Sequence, residues 1–221
     1  MIRWEELGRA EVPGGGELRL MRRRDELSIM AGAVELMNSR MSGSEEVLAE
    51  LACGPMAGRR GARVLIGGLG MGFTLRAALA VLGEDARVVV AELVPAVIEW
   101  AHGPMAGLFG DSLSDPRTEV RAADVAEAMS EGGFDAVLLD VDNGPDGLPR
   151  PENDRLYSVE GLAEAWDALT PGGVLAVWSA HPSPGFAARL SGAGFAVEEH
   201  AVRARRTKGA RHVVWAAVKE G

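Results

Sequence analysis

The fold is decided by the stretch Arg63-Val-Leu-Ile-Gly-Gly-Leu-Gly-Met-Gly-Phe-Thr-Leu-Arg76. A short apolar run leads into four glycines, and the helical pattern of Leu75–Leu82 follows at once. The glycines are Gly67, Gly68, Gly70 and Gly72. Glycine permits a positive φ and carries no Cβ atom, and the first turn of a helix presents unpaired N–H groups. The stretch therefore predicts a loop that holds a nucleotide-like ligand against bare backbone.

From Arg63 onward, strand patterns alternate with helix patterns. The strand candidates are Val64–Ile66, Arg87–Ala91, Thr118–Arg121, Phe134–Leu139 and Val174–Trp178. The helix candidates are Leu75–Leu82, Ala96–His102, Val125–Ser130, Val159–Leu169 and Gly185–Ser191. Apolar strands that alternate with helices are typical of a parallel sheet covered on both faces.

The last part of the chain departs from this alternation. Two strand candidates, Phe195–Arg203 and Arg211–Val218, follow one another and predict an antiparallel hairpin. We interpret the basic residues around its tip as a solvated turn; they are Arg203, Arg205, Arg206, Lys208 and Arg211. We therefore predict an α/β fold of the Rossmann-like, methyltransferase type. Its doubly wound sheet is mostly parallel and ends in a C-terminal antiparallel hairpin.

A short N-terminal β-region precedes this sheet. Its strand candidates are Glu17–Met21, Glu26–Met30 and Ala33–Met37. The sequence Ser42-Gly-Ser-Glu45 has the spacing of a capping box and predicts the start of a helix that continues through Cys53. We therefore divide the chain into a short N-terminal β-hairpin region, residues 1–41, and a larger domain that contains the glycine loop, residues 42–221.

Composition limits the classes of partner. The chain of 221 residues has a net charge of −9, which disfavours nucleic acid and anionic membranes. We see no apolar run of membrane-spanning length and no signal-peptide pattern, and so expect a cytoplasmic protein. Cys53 is the single cysteine, and the four histidines show no ligand spacing with it or with each other, so we expect no metal.

The glycine spacing separates three classes of nucleotide loop. A P-loop requires Gly-Lys-Ser/Thr, whereas this helix begins Phe73-Thr74-Leu75. A dinucleotide fingerprint requires a third small residue, and Phe73 occupies that position. The spacing present is Gly-x-Gly-x-Gly, so the ligand has to be identified from the rest of the site.

Acidic residues follow the next two strand candidates. Glu92, with Leu93 beside it, can accept hydrogen bonds from both ribose hydroxyls of a nucleoside. Asp124 can accept from an adenine amino group while Val125 packs on the ring. The alternatives are an exposed acid for Glu92 and a helix N-cap for Asp124, and the two roles of Asp124 are compatible.

A polar segment follows the fourth strand candidate. Asp140 ends the strand at the edge where open α/β sheets bind ligands, and Asp142 and Asn143 follow it. These side chains can orient an amine, and a carboxylate there can take its proton; the alternative is a hydrogen-bonded turn. Tyr157 either positions an acceptor or anchors the long loop 141–157, which itself resembles a lid.

Taken in order, several segments resemble the spermidine synthase family of class I S-adenosylmethionine-type transferases. They are Leu36-Met-Asn-Ser39, Ser44-Glu-Glu46, the glycine loop Ile66–Arg76, Glu92, Asp115-Pro-Arg117, Asp124, Phe134–Asp140, Leu156-Tyr-Ser158 and Leu169-Thr-Pro-Gly-Gly173. The resemblance implies aminopropyl transfer from decarboxylated S-adenosylmethionine to a small-molecule amine. It implies that Asp140 deprotonates that amine and also contacts the donor, with Asp142 and Tyr157 as further catalytic residues. It assigns Asn143 and Glu50 to the acceptor, and it leaves a homodimer open.

Three departures from the family pattern keep other functions open. Met71 stands where the family's loop carries an acid, Asn143 or Asp142 replaces its second acid, and Leu48-Ala49-Glu50 replaces its Tyr-His-Glu. The first alternative is a methyltransferase that uses S-adenosylmethionine itself, because no loop acid would repel the donor's carboxylate. The second is a non-catalytic subunit that binds an adenosyl ligand.

Overall fold

The computed structural model describes residues 2–141, 144–145, 154–205 and 207–220 of the chain. Its strands are β1 (Glu5–Glu11), β2 (Glu17–Arg23), β3 (Glu26–Ala31), β4 (Val34–Asn38), β5 (Arg63–Gly67), β6 (Arg87–Glu92), β7 (Thr118–Ala122), β8 (Phe134–Leu139), β9 (Leu169–Ser179), β10 (Phe195–Arg205) and β11 (Lys208–Lys219). Its α-helices are α1 (Gly43–Cys53), α2 (Phe73–Val81), α3 (Pro95–His102), α4 (Ala106–Phe109), α5 (Val125–Met129), α6 (Val159–Ala168) and α7 (Pro184–Gly192). The mixed α/β architecture confirms the predicted fold class.

The main sheet places the glycine loop at its centre. The strand order is β10-β11-β9-β8-β5-β6-β7, and the strands from β9 to β7 run parallel. The chain leaves β5 toward β6 and β7, then returns to β8 on the other side of β5. Such a reversal opens a crevice at the carboxyl ends of the two central strands. Gly67 ends β5 beside Leu139, so the glycine loop and Asp140 begin on either side of this crevice.

Side chains that alternate along the strands build one core on each face of the sheet. Val64 and Ile66 of β5 pack in the cluster shared with α1, α2 and α3, whereas Leu65 packs in the cluster shared with α5, α6 and α7. Strands of a parallel sheet are apolar on both faces for this reason. The continuous apolar runs in the sequence are therefore explained by two covered faces.

The N-terminal region forms a separate antiparallel sheet of order β1-β2-β3-β4. Its apolar side chains, among them Leu20 and Ile29, join the same core as α2 and α3. A Cβ atom at Gly8 would lie 2.5 Å from the indole nitrogen of Trp100, so β1 approaches α3 closely. Sequence patterns missed β1, whose side chains are mostly exposed or half-buried. The sheet closes over the crevice at the carboxyl ends of the main strands.

Two local predictions were wrong. Ser42 makes no side-chain cap bond, because its hydroxyl donates to Glu46 at 2.8 Å. Glu45, the other residue of the predicted capping box, accepts the Ser44 hydroxyl instead. The hairpin strands extend to Arg205 and from Lys208, so Arg203 and Arg211 pair across the strands instead of lying in the turn. Arg206 lies outside the described residues. In the described part of the chain, no helix is long and apolar enough to cross a membrane.

Candidate active site

The candidate site is a cavity between the carboxyl ends of the main sheet and the N-terminal sheet. The N-terminal region supplies an apolar wall, formed by Val12, Leu18, Ile29, Leu36 and Met37. The main sheet and α1 supply the polar wall, which contains four carboxylates among its described residues. They are Glu45, Glu92, Asp124 and Asp140. The cavity therefore joins an apolar surface suited to a base with a strongly acidic surface.

The glycine loop forms part of this wall through Gly68 and Gly70. Both have a positive φ, and a Cβ atom would lie 2.6 Å from the Asp140 carbonyl oxygen at Gly68 and 2.5 Å from the Met37 sulfur at Gly70. The predicted ligand contacts Gly67 and Gly72 do not line the cavity. Their missing side chains make room for Val125 and for Phe109, respectively. Tight packing around the loop is therefore a sufficient reason for glycine at these positions, as contact with a ligand would be.

Glu92 fixes the glycine loop to the end of β6. Its Oε2 accepts the Leu69 N–H and its Oε1 accepts the Val94 N–H, both at 2.9 Å. Leu93 lies beside it in the cavity wall. Each carboxylate oxygen has a second lone pair, so Glu92 can still accept ribose hydroxyls from the cavity.

Asp124 caps α5 and also faces the cavity. Its Oδ1 accepts the Ala126 N–H at 2.8 Å, which confirms the N-cap alternative. Its Oδ2 lies 3.5 Å from the Arg155 guanidinium, and Val125 lines the cavity next to it. The cap holds the carboxylate at the cavity edge, so a contact with an adenine amino group remains a prediction that the geometry allows.

Asp140 contributes another carboxylate to the cavity wall. Its backbone N–H donates to the Gly67 carbonyl at 3.0 Å, which holds it beside the glycine loop. Its Oδ2 accepts the Thr74 hydroxyl at 2.6 Å, at the first turn of α2. Burial raises the pKa of the Asp140 carboxyl to about 6, against the opposing effect of the Thr74 hydrogen bond. Asp140 can therefore exchange a proton near neutral pH.

Glu45 is the cavity carboxylate that sequence reasoning missed. It lies in the first turn of α1, is 8% exposed, and accepts the Ser44 hydroxyl at 2.7 Å. Burial, and then the nearby charge of Asp140, raise the pKa of Glu45 to about 7. The capping-box spacing concealed it, because that pattern assigns the glutamate to the helix terminus.

Glu50, the predicted acceptor contact on the same helix, lies elsewhere. It is exposed and lines a surface groove between α1 and α2. Five residues correspond to about 140° around an α-helix, so Glu45 and Glu50 face different sides. Glu50 does not line the cavity, and Glu45 is the acid that α1 brings to it.

Two other predicted residues also lie off the cavity wall. Tyr157 is buried, and its hydroxyl donates to the Val141 carbonyl at 3.2 Å, which favours the loop-anchor alternative over a catalytic role. Met71 is fully buried, so the loop position that faces the cavity is Gly70. Asp142 and Asn143 lie outside the described residues.

A second polar contact was also missed. The Ser44 hydroxyl lies 2.9 Å from Nδ1 of His212, which β11 contributes from 168 positions along the chain. Trp178 packs edge-on against the His212 ring at a centroid distance of 4.8 Å and lines the cavity. No single-sequence pattern links α1 to β11, because their contact depends on the order of strands in the sheet.

The charge of the cavity suits a cationic ligand. None of its described lining residues is Lys, Arg or His. The buried indole nitrogen of Trp178 has no hydrogen-bond partner among the described groups, and therefore remains available as a donor to a ligand. Within the same part of the chain, no group of three His, Cys, Asp or Glu side chains is arranged to hold a metal ion.

Comparison with known sequences finds relatives for part of the chain. No family model matches it. Proteins named polyamine aminopropyltransferase, from two strains of Mycobacterium tuberculosis and one of Mycobacterium bovis, are each 39% identical over 128 residues. The match covers 55% of this chain and 24% of each relative, so the chain spans about a quarter of their length.

Comparison with solved structures covers nearly the whole chain. A spermidine synthase bound to the transition-state analogue AdoDATO has a TM-score of 0.76, and spermidine synthase from Thermotoga maritima has 0.77. Both are 19% identical and match over 97% of this chain and 72% of theirs. A probable spermidine synthase from Corynebacterium glutamicum has a TM-score of 0.61 at 17% identity, over 99% of this chain and 80% of its own. Together with the curated relatives, these structures support the resemblance to the spermidine synthase-like family.

Proposed function

We propose that the chain is a transferase that moves an aminopropyl group from decarboxylated S-adenosylmethionine to a small-molecule amine. The observation that carries the proposal is the charge of the cavity, where four carboxylates face the ligand space without a basic side chain among the described lining residues. The relatives named polyamine aminopropyltransferase, although they match over part of their length, support the same reaction.

The charge of the cavity separates the two candidate donors. Decarboxylated S-adenosylmethionine carries a sulfonium and an ammonium group, whereas S-adenosylmethionine adds a carboxylate. An anion brought into this acidic cavity meets no cationic side chain among the described lining residues and is repelled by the carboxylates. The doubly cationic donor instead pairs with the carboxylates, and its selection follows from this electrostatic difference.

The residues divide between the two substrates. In this assignment, Glu92 accepts the ribose hydroxyls, Asp124 accepts the adenine amino group, and the apolar wall covers the base. The amine approaches beside Asp140 and Glu45, which attract its ammonium form and withdraw a proton from it. The amine nitrogen then forms a bond to the propyl carbon while the carbon–sulfur bond breaks. The sulfur keeps the electron pair and leaves as methylthioadenosine.

The protein accelerates this displacement by alignment and by exclusion of water. In this proposal, the N-terminal sheet covers the donor in the cavity. Residues 1–41 then form the cover, and residues 42–221 form the catalytic domain. Holding nucleophile and leaving group in line replaces a bimolecular encounter. The cytoplasmic location and the homodimer stay predictions.

Methyl transfer from S-adenosylmethionine is the second candidate. The observation that favours it lies in the glycine loop, where Met71 is buried away from the cavity and Gly70 has no side chain. The loop itself therefore presents no acid against a donor carboxylate. Glu45 and Asp140 oppose this candidate, because both carboxylates face the same space.

Product analysis distinguishes these functions. The chain is incubated with a series of diamines and either decarboxylated or intact S-adenosylmethionine, and the nucleoside product is identified by mass. The proposal expects methylthioadenosine from the decarboxylated donor. Formation of S-adenosylhomocysteine from the intact donor would instead establish methyl transfer. No product from either donor, with adenosyl binding retained, would indicate the non-catalytic subunit.

A further inference from the structure

A continuous hydrogen-bonded path connects the cavity to the C-terminal hairpin. Glu45 Oε2 lies 2.7 Å from Ser44 Oγ, and Ser44 Oγ lies 2.9 Å from His212 Nδ1. Each distance is that of a good hydrogen bond. Three groups that exchange protons readily thus join α1 to β11. We call Glu45, Ser44 and His212 the relay.

The two ends of the relay differ in exposure. Ser44 is fully buried and Glu45 is 8% exposed in the cavity wall, whereas His212 is half-buried. The hairpin therefore carries the outer end toward solvent. A proton placed on Glu45 has a path of two hydrogen bonds out of a cavity that the N-terminal sheet covers.

The groups around the relay determine where the proton resides. Asp140 and Glu46 face Glu45 with negative charge, and both favour its protonated form. Burial, and then the charge of His181, lower the pKa of His212, while Trp178 packs on its ring. Glu45 therefore takes up a proton readily, and His212 releases one readily.

Asp140 has no comparable path in the described structure. Its carboxylate accepts the hydroxyl of Thr74, which is 3% exposed in the first turn of α2. A proton taken by Asp140 therefore leaves most directly through the neighbouring Glu45. The two carboxylates act as a pair that collects one proton.

We propose that Ser44 and His212 release to solvent the proton that the Asp140–Glu45 pair takes from the attacking amine. The inference rests on the proposed aminopropyl transfer, and adds an exit path to it. An acceptor amine arrives as an ammonium ion and must lose one proton before its nitrogen can attack. The site has to discharge that proton once in every turnover.

Each transfer in the relay breaks one bond to hydrogen and forms another. The ammonium N–H bond breaks and an O–H bond forms on Glu45. Glu45 passes this proton to Ser44 Oγ while the Ser44 hydroxyl proton moves to His212 Nδ1. The resulting imidazolium loses the proton on Nε2 to water, which leaves His212 protonated on Nδ1, and the Ser44 hydroxyl donates to the ionised Glu45 again. Proton exchange with water then returns His212 to its Nε2–H tautomer, so that Nδ1 can accept a proton in the next turnover. No other reactant is required.

Kinetics of relay variants test the proposal. His212→Gln removes the imidazole at a half-buried position, and Ser44→Ala removes the buried hydroxyl. We expect kcat to fall at least about tenfold in each variant while KM for the donor stays unchanged, because general acid–base steps carry effects of this size. Imidazole added to His212→Ala should restore activity. The matched control is His102→Gln, an exposed histidine on α3. An unchanged kcat in His212→Gln would overturn the proposal.

A second measurement separates failure of the relay from failure of the proposed function. The titration of His212, followed by NMR of labelled histidine, should change in Glu45→Gln and lose its coupling to Glu45 in Ser44→Ala. A titration unaffected by both variants would refute the relay even if aminopropyl transfer is observed. Absence of methylthioadenosine with every diamine would refute the proposed function and the amine-proton role, whatever the titration shows.

Discussion

The two halves of the acidic wall use the same side chains in different environments. In the donor half, defined by Glu92 and Asp124, each carboxylate accepts backbone N–H groups. In the acceptor half, defined by Asp140 and Glu45, the carboxylates accept the hydroxyls of Thr74 and Ser44. Burial raises the pKa of both acceptor-half carboxyls, to about 6 and about 7.

This difference explains how one cavity can bind and react. Backbone amides hold a carboxylate in place, which suits recognition of fixed hydroxyl and amino groups. A buried carboxyl beside another acid binds a proton near neutral pH, which suits proton removal from an amine. In the proposed function, the environment, and not the residue type, assigns binding to one half and chemistry to the other.

The largest effect should come from removing charge in the acceptor half. Asp140→Asn keeps the shape of the side chain but cannot take a proton. We expect kcat for methylthioadenosine formation to fall by about 10²–10⁴-fold, the range of general base catalysis. Affinity for methylthioadenosine, measured by calorimetry, should be retained because the donor half is intact. A variant with normal turnover would contradict the division into halves.

The acceptor half should also make stability and activity respond to pH in opposite directions. Raised carboxyl pKa values mean that the folded chain binds protons more tightly than the unfolded chain, so this stabilisation is lost as the pH rises through about 6 to 7. We expect each of these groups to lower the free energy of unfolding by on the order of 3 kcal/mol between pH 4 and pH 8.

Activity should rise over the same interval, because the ionised pair accepts the proton. Denaturant unfolding and kcat at each pH measure the two trends. Glu45→Gln should flatten the stability trend. If the free energy of unfolding depends on pH equally in Glu45→Gln and in the wild type, the Asp140–Glu45 pair does not titrate between pH 4 and pH 8.

In the donor half, Glu92→Gln should weaken binding without changing the acid–base step. A hydrogen bond to a charged group contributes about 1.5–3 kcal/mol, which corresponds to roughly 10–100-fold in affinity. We expect KM for the donor to rise and kcat to stay near the wild-type value. The matched control is Glu99→Gln, an exposed glutamate on α3. A fall in kcat alone would place Glu92 in the acceptor half.

The smallest effect should come from Tyr157, which lies outside both halves. Tyr157→Phe removes the hydroxyl that donates to Val141, at a cost of about 0.5–1.5 kcal/mol in stability. We expect kcat to be unchanged and the melting temperature to fall slightly. A loss of turnover with normal stability would return Tyr157 to the catalytic residues.

The residues of the donor half could be predicted from the sequence because each lies at the end of a local strand pattern. Glu92 and Asp124 each end a strand pattern, and parallel strands bring their carboxyl ends to one edge of the sheet. Asp140 follows the same rule. The strand order itself, with the reversal beside β5, then places all three around one crevice.

The acceptor half was only partly accessible because its contacts are long-range. Glu45 carries a helix-terminus pattern, and its role depends on how α1 rests on the sheet. His212 lies in a predicted strand, but its contact with Ser44 spans 168 positions. Helix rotation and strand order decide such contacts, and neither can be obtained from spacing along the chain. Glu50, predicted on the same helix, lies in a different groove for this reason.

The most direct test of the account compares the binding of two donors that differ by one carboxylate. Calorimetric titration of the chain with decarboxylated and with intact S-adenosylmethionine, at the same pH and salt, measures the selectivity of the acidic cavity. We predict that the decarboxylated donor binds at least about tenfold more tightly, a difference of about 1.4 kcal/mol. Equal binding, or tighter binding of S-adenosylmethionine, would contradict the account.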